Sequence, residues 1–271
     1  MPQPSELASC LKALHLSLAA ECYPEIAEEA RREQLSYEQF LQALMGRELE
    51  HRQENRTERW LHESRLPLEK GLAGFDRTRL PAKVAAALNT LLEGEFLTRA
   101  ENVLVFGNPG SGKTHLVCAL AQELIHRGRR ILFCPCQLLV QDLLRAKREL
   151  ALAQELKRLA RYEALIIDDI GYVQQDRQEM EVLFALLAYR YEQRSVLITS
   201  NLPFSKWDAI FKDPMTTAAA IDRLVHHSTI VELNLPSYRL QAAKRGAARD
   251  NQSRVAGTAP ERNPTEKEVK A

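Results

Sequence analysis

The sequence predicts an α/β protein in which a parallel sheet lies between helices, preceded by a small all-helical unit. Three observations predict it. Five short, apolar, β-prone segments (102–106, 131–134, 164–168, 195–199 and 229–233) alternate with stretches of helical periodicity, the pattern of a parallel sheet covered on both faces. A glycine-rich loop follows the first of those segments directly and opens a helix. Residues 1–66 carry helical spacing and no strand signal.

The elements follow in order. Leu7, Leu11, Leu14 and Leu18 form an apolar stripe at helical spacing. Pro24 is expected to start a second helix, and Ser36 to cap a third that runs from Tyr37 to Trp60. That third helix is crowded with Glu and Arg at spacings of three and four, among them Arg47, Glu48, Arg52 and Glu58. Such a helix is either a solvated face laced with ion pairs or a contact surface for DNA or a partner protein. Leu66-Pro67 and the stretch from Gly71 to Gly74 break the pattern, so a core domain is expected over 67–245. A helix is expected over 176–192, with Met180, Leu183, Phe184, Leu187 and Tyr191 as its packed side. Residues 246–271 are polar and aperiodic, the composition of a disordered tail.

Composition narrows the class. The 271 residues are 45% apolar and 27% charged with a net charge of +1, so any nucleic-acid surface has to be a local patch. The five cysteines include Cys134-Pro135-Cys136, but no second Cys/His pair stands at zinc-site spacing, so buried thiols are expected. No apolar run is long enough to span a bilayer and no signal segment is visible, so a cytoplasmic setting without a membrane partner is expected.

Gly107, Asn108, Pro109, Gly110, Ser111, Gly112, Lys113 and Thr114 fit G-x-x-x-x-G-K-[ST]. Glycines let backbone amides converge on phosphate oxygens, and the helix that follows adds partial positive charge at its N-terminus. Lys113 can reach the β- and γ-phosphates of ATP, and the Thr114 hydroxyl can ligate Mg²⁺. Ala164 to Asp169 is an apolar strand ending in two acids. Asp168 is expected to hold Mg²⁺, and Asp169 to orient or deprotonate the attacking water. Val196 to Asn201 is a second such strand, which as a neighbour of 164–168 would bring Asn201 near the γ-phosphate. Arg223 and Arg239 are the arginines available to neutralise charge in phosphoryl transfer; spacing does not show where either points.

Together these motifs resemble AAA+ ATPases of the initiator and helicase-loader branch, most closely the IstB-like ATP-binding proteins of bacterial insertion sequences. The segments that carry the resemblance are Phe106 to Leu116 (with His115 joining the phosphate loop), Leu165 to Tyr172, Thr199 to Phe204, Trp207, Ala220 to Leu224 and Ser237 to Arg239. The resemblance implies a P-loop AAA+ core and ATP with Mg²⁺ as cofactors. It implies Asn201 as a first sensor, Arg223 as a finger reaching an adjacent subunit's ATP, and Arg239 as a second sensor. Where the wider class often carries Glu, this chain has Asp169, and the shorter side chain implies slow hydrolysis. The resemblance also implies a helical insertion ahead of the metal-binding strand. Gln137 to Arg161 matches, and its Arg145, Lys147, Arg148, Lys157, Arg158 and Arg161 are candidate contacts to the phosphates of duplex DNA, with a charged solvent face as the alternative. The function implied is an ATP-dependent helper of transposition. It would oligomerise through ATP interfaces on duplex DNA, select or remodel a target, and recruit or stimulate a cognate transposase, without cutting DNA itself. A replicative helicase loader like DnaC is the near alternative. A small-molecule P-loop kinase and a module that uses ATP only as structural glue are the more distant ones.

Overall fold

The computed structural model describes residues 4–170, 177–207 and 214–238. Arg239, the segment from Gly171 to Tyr172 and the polar stretch 246–271 lie outside the described residues.

Three helices open the chain: α1 (Pro4–Ala13), α2 (Ser17–Glu33) and α3 (Tyr37–Glu63). Ser36 caps α3 as expected. Its hydroxyl accepts from Gln39 N, and the Gln39 side chain accepts from Ser36 N. Two expectations fail here. Pro24 lies inside α2 and does not start it. An internal proline removes one backbone bond and costs about 3 kcal/mol. Burial of Ala19 and Ile26 on both sides of Pro24, against Leu44 of α3, outweighs that local signal. The leucine stripe also breaks. The chain turns at His15, whose φ is 58°, and leaves Leu7 and Leu14 exposed.

The charges of α3 work across helices as well as along one. Glu48 is buried; its carboxylate accepts from Ala19 N at 3.0 Å and from Arg52 Nε at 2.7 Å. Burial alone would push its carboxyl up, but these bonds outweigh it and hold Glu48 below the usual carboxylate range. Arg52 also donates to His15 O. The far end of α3 meets the core: Trp60 and Leu61 pack under the sheet, Glu63 pairs with Arg130 at 2.8 Å, and Ser64 O accepts from Phe133 N at 2.8 Å.

The sheet has five parallel strands: β1 (Asn102–Gly107), β2 (Ile131–Pro135), β3 (Ala164–Asp168), β4 (Ser195–Ser200) and β5 (Ser228–Leu233). Their order is β2-β3-β4-β1-β5, so β4 separates β3 from the strand that feeds the glycine loop. Period-two alternation divides the core. Val103, Val105, Ile166 and Leu197 face α4 (Ala82–Glu93) and α6 (Lys113–His126); α5 (Glu95–Thr98) is a single turn between α4 and β1. Leu104, Leu165, Ile167 and Ile198 face α7 (Cys136–Arg148), α9 (Arg177–Arg190) and α10 (Pro214–Val225). The 137–161 stretch therefore resolves into two parts. α7 buries Leu139, Val140 and Leu143 as the crossover between β2 and β3, and α8 (Leu152–Leu159) is the added piece.

Arg190, only 1% exposed, pins the edge where β3 and β4 begin. Its guanidinium donates to Leu159 O at 3.0 Å, Tyr162 O at 3.2 Å and Ser195 O at 2.8 Å. Burial, with the nearby Arg194 charge adding, pulls its pKa down to about 9, so it remains a cation at neutral pH. Replacing it removes three buried bonds to carbonyls, of which Leu159 O keeps a bond from Tyr162 N. Arg190→Met is expected to lower unfolding stability by about 2–4 kcal/mol in urea melts. A change under about 0.5 kcal/mol would show that the edge does not depend on it.

Candidate functional site

Because every strand is parallel, all five C-terminal ends share one edge of the sheet, and the loop after β1 is built there. The glycines fit close neighbours. A Cβ on Gly107 would collide with Leu233 O of β5. Gly110, at φ 79°, leaves room for Ser237 Oγ and accepts from Tyr238 N at 2.9 Å. The N-terminus of α6 then points its amides into the loop. Lys113 is buried beneath it and donates to Gly107 O at 2.9 Å and Asn108 O at 3.1 Å.

Thr114 and Asp168, expected to share a metal, do meet: Thr114 Oγ1 donates to Asp168 Oδ1 at 2.9 Å. Two hard oxygen donors beside a phosphate loop suit Mg²⁺, which takes few protein carboxylates and keeps waters. The contact spans the intervening β4, and β4 supplies the support. Thr199, fully buried, donates from Oγ1 to Asp168 Oδ1 at 2.6 Å and accepts on the same oxygen from Asp169 N at 2.9 Å. Asp169 has φ 60°, in the left-handed region that costs a non-glycine residue about 1–2 kcal/mol. The Thr199 bond helps hold that turn and keeps Asp169 on the cavity wall. Local sequence does not single out Thr199 as this support; the available signal is a hydroxyl inside a fully buried run, which has to find a partner.

Asn201 follows β4 on the same edge, and its buried Oδ1 has no partner among the described residues. The turn that carries it is held by Ser200 Oγ, which donates to Leu202 O at 2.9 Å, and by Trp207 Nε1, which donates to the same carbonyl at 3.1 Å.

Pro109 to His115, with Asp169, form one side of a cavity of about 220 Å³. The other side comes from Lys70, Phe75, Asp76, Arg79 and Tyr238, a wall that the sequence marks only by a helix-breaking boundary near Gly71 to Gly74. Phe75 meets the His115 ring edge-on with centroids 5.1 Å apart, and His115 Nε2 lies 3.0 Å from Gly71 O. The Arg79 guanidinium lies 5.4 Å from the centre of the Tyr238 ring and donates to Pro236 O at 3.0 Å. An aromatic slot beside an anion loop is a fit for a nucleotide's base and phosphates.

Arg223 is elsewhere. It lies in the last turn of α10, where Asn102 Nδ2 donates to Leu224 O at 3.2 Å. Asn102 begins β1 and Gly107 ends it, so Arg223 stands at the opposite edge of the sheet, about 16 Å along the strand from its own phosphate loop. Its guanidinium sits 4.8 Å from the centre of the Phe184 ring and donates to Ala219 O at 3.0 Å.

The basic residues of α7 and α8 divide. Arg145 pairs with Asp142, Lys147 with Glu181 at 2.8 Å, and Arg158 with Glu155 at 2.8 Å. Arg148, Lys157 and Arg161 are exposed and have no ion pair among the described residues. Cys118 and Cys134 are buried thiols, pushed by burial up to about 12 and about 11 respectively, as expected of unreactive cysteines.

The description "IstB-like ATP binding protein" fits residues 9–246 of this chain. The chain belongs to that family. It is 42% identical over 240 residues to a protein of Sinorhizobium fredii named for ATP binding and an insertion sequence, covering 88% of this chain and 80% of that one. A Pseudomonas aeruginosa protein named for insertion sequence IS21 and ATP binding is 38% identical over 239 residues, with 88% and 89% covered. The fold is similar to that of the DnaC helicase loader (TM-score 0.52, 15% identity, 60% of this chain and 96% of that one). It is also similar to AMPPCP-bound DnaA from Aquifex aeolicus (TM-score 0.52, 17% identity, 68% and 56% covered). The IstB-like chain is thus an ATP-binding protein with an AAA+ fold. Among its described residues, no helix is long and apolar enough to cross a membrane.

Thr199→Val removes both hydroxyl bonds at nearly constant volume. The variant is expected to fold but to need about tenfold more Mg²⁺ for tight nucleotide binding, with Thr199→Ser restoring most of the loss. Fluorescent-nucleotide titrations at graded Mg²⁺ measure this; an unchanged Mg²⁺ requirement in the valine variant would remove Thr199 from the site.

Proposed function

We propose that this IstB-like protein is an ATPase that assembles on duplex DNA through ATP seated between copies, and that it prepares a target for a cognate transposase. The observation that carries the reading is the separation of Arg223 from its own phosphate loop. An arginine at the far edge of the sheet, on a helix end, suits a neighbour's nucleotide. Nucleotide state and assembly state then become one variable.

In this reading the loop amides and Lys113 hold the phosphates, and Thr114 and Asp168 would hold Mg²⁺, which supplies charge neutralisation at the β- and γ-oxygens. Asp169 orients or deprotonates the attacking water, and Asn201, with its free amide oxygen, aligns that water with the γ-phosphate. The neighbour's Arg223 offsets the charge that develops on the transferred group. Arg239 is proposed as a further phosphate contact. Exposed Arg148, Lys157 and Arg161 grip the DNA backbone without reading bases. Bending a duplex costs several kcal/mol, which many weak protomer contacts would offset together. The relatives named for insertion sequences support transposition over helicase loading, since the likeness to DnaC is one of fold.

Lys113→Ala is expected to abolish nucleotide binding and ATP-dependent assembly on DNA, seen by electron microscopy with ATP against ADP. Assembly that persists unchanged would sink the coupling. Arg223→Ala is expected to keep the single chain's ATP affinity within about twofold while turnover falls at least a hundredfold. Mixing it with Asp169→Asn protein should restore part of the activity, because one interface then has both groups; no recovery at any ratio would count against action in trans. Reversing Arg148, Lys157 and Arg161 to Glu is expected to weaken binding equally on unrelated duplexes and to flatten the salt dependence by about three units of slope. A loss confined to one DNA sequence would contradict backbone contact.

A further inference from the structure

Away from the nucleotide cavity, α9 and α10 end at the same corner. α9 stops at Arg190 and α10 at Val225, and the residues just beyond them meet. One carboxylate oxygen of Glu192 and one ring nitrogen from each of His226 and His227 lie within 4.8 Å of one another. All three side chains are exposed, and no other trio of His, Cys, Asp or Glu is drawn so close among the described residues. The imidazoles touch edge-on with centroids 4.1 Å apart.

Three further features favour a cation there. Two helix C-termini converge on the corner, each carrying partial negative charge on its last carbonyls. The Tyr191 hydroxyl lies 3.1 Å from His226 Nδ1, an outer contact of the kind that orients an imidazole ligand. The nearby cations are engaged elsewhere: Arg223 lies over Phe184, Arg194 donates to Ala160 O at 3.2 Å, and Arg99 pairs with Glu101 at 2.7 Å.

We propose that Glu192, His226 and His227 form a binding site for one divalent transition-metal ion of the zinc class, with water completing the coordination shell. Imidazole nitrogens are borderline donors, and two of them with one carboxylate favour Zn²⁺, Ni²⁺ or Co²⁺ over Mg²⁺, which prefers all-oxygen shells. The site is thus chemically distinct from the Thr114–Asp168 pair as well as lying at the other edge of the sheet. A bound ion would tie the turn after α9, which leads into β4, to the turn after α10, which leads into β5. It would stiffen the helix end that carries Arg223. The metal site itself does not depend on the proposed function.

The test uses the full chain, stripped with a chelator and free of nucleotide and Mg²⁺, titrated with ZnCl₂ in a calorimeter. One Zn²⁺ per chain at micromolar affinity is expected. His226→Ala, His227→Ala and Glu192→Gln should each weaken it tenfold or more, with metal-free melting unchanged because all three side chains are exposed. Asp168→Asn should bind as the parent does, which separates this site from the nucleotide cavity. Saturation absent at millimolar Zn²⁺, or binding that survives the His226→Ala/His227→Ala pair, would overturn the proposal. So would a thiolate charge-transfer band in the Co²⁺ complex, since it would place the ion on cysteine.

Discussion

One carboxylate organises the nucleotide edge of this protein. Asp168 ends β3, accepts from Thr114 at the start of α6, and accepts again from Thr199 near the end of β4. Those three elements come from distant parts of the chain, and the all-parallel sheet is what brings their ends together. The same hydroxyl that fixes Asp168 also accepts from Asp169 N, so both acids, proposed to face the metal and the water, are set by a single buried oxygen. Rigid support of this kind decides whether such a site works, because ligands misplaced by even an ångström lose most of their effect.

The opposite edge has a different character. There Arg190 is pinned by buried carbonyls, Asn102 ties the start of β1 to the end of α10, and Arg223 lies over Phe184. A sheet with the phosphate loop on one edge and Arg223 on the other is asymmetric in a useful way. A head-to-tail contact between copies joins unlike edges, and contacts of that type propagate as rings or filaments. In the proposed assembly the strand length sets the distance between the ATP a chain holds and the ATP it completes.

The N-terminal helices are not strung on a loose tether. α3 begins against α2 through Leu44 and Glu48 and ends under the sheet through Trp60, Leu61 and the Glu63–Arg130 pair. One continuous helix thus joins the first helices to the strand β2 that lies beside β3. The segment after it, Lys70 to Leu80, lines one side of the cavity and with Tyr238 supplies its aromatic wall. A partner that grips the first helices therefore pulls on an element whose far end abuts the core and whose next few residues line the cavity.

Much was legible in the amino-acid order alone. Gly107 to Thr114, the five strands, the Ser36 cap and the acids at 168 and 169 all announce themselves through local chemistry: glycine where backbones crowd, period-two apolar runs, a hydroxyl before a helix. Those signals act over a few residues and survive without a fold. The tertiary structure decided the rest. It inserted β4 between β1 and β3, made Thr199 the support of Asp168, kept Pro24 within α2, and turned a glycine-marked boundary into the wall of a cavity. It neutralised Arg145, Lys147 and Arg158 with acids while leaving Arg148, Lys157 and Arg161 exposed. The physical reason is common to all of these. Each depends on contacts between residues far apart along the chain, and the energy of such a contact is not written in the neighbours of either partner.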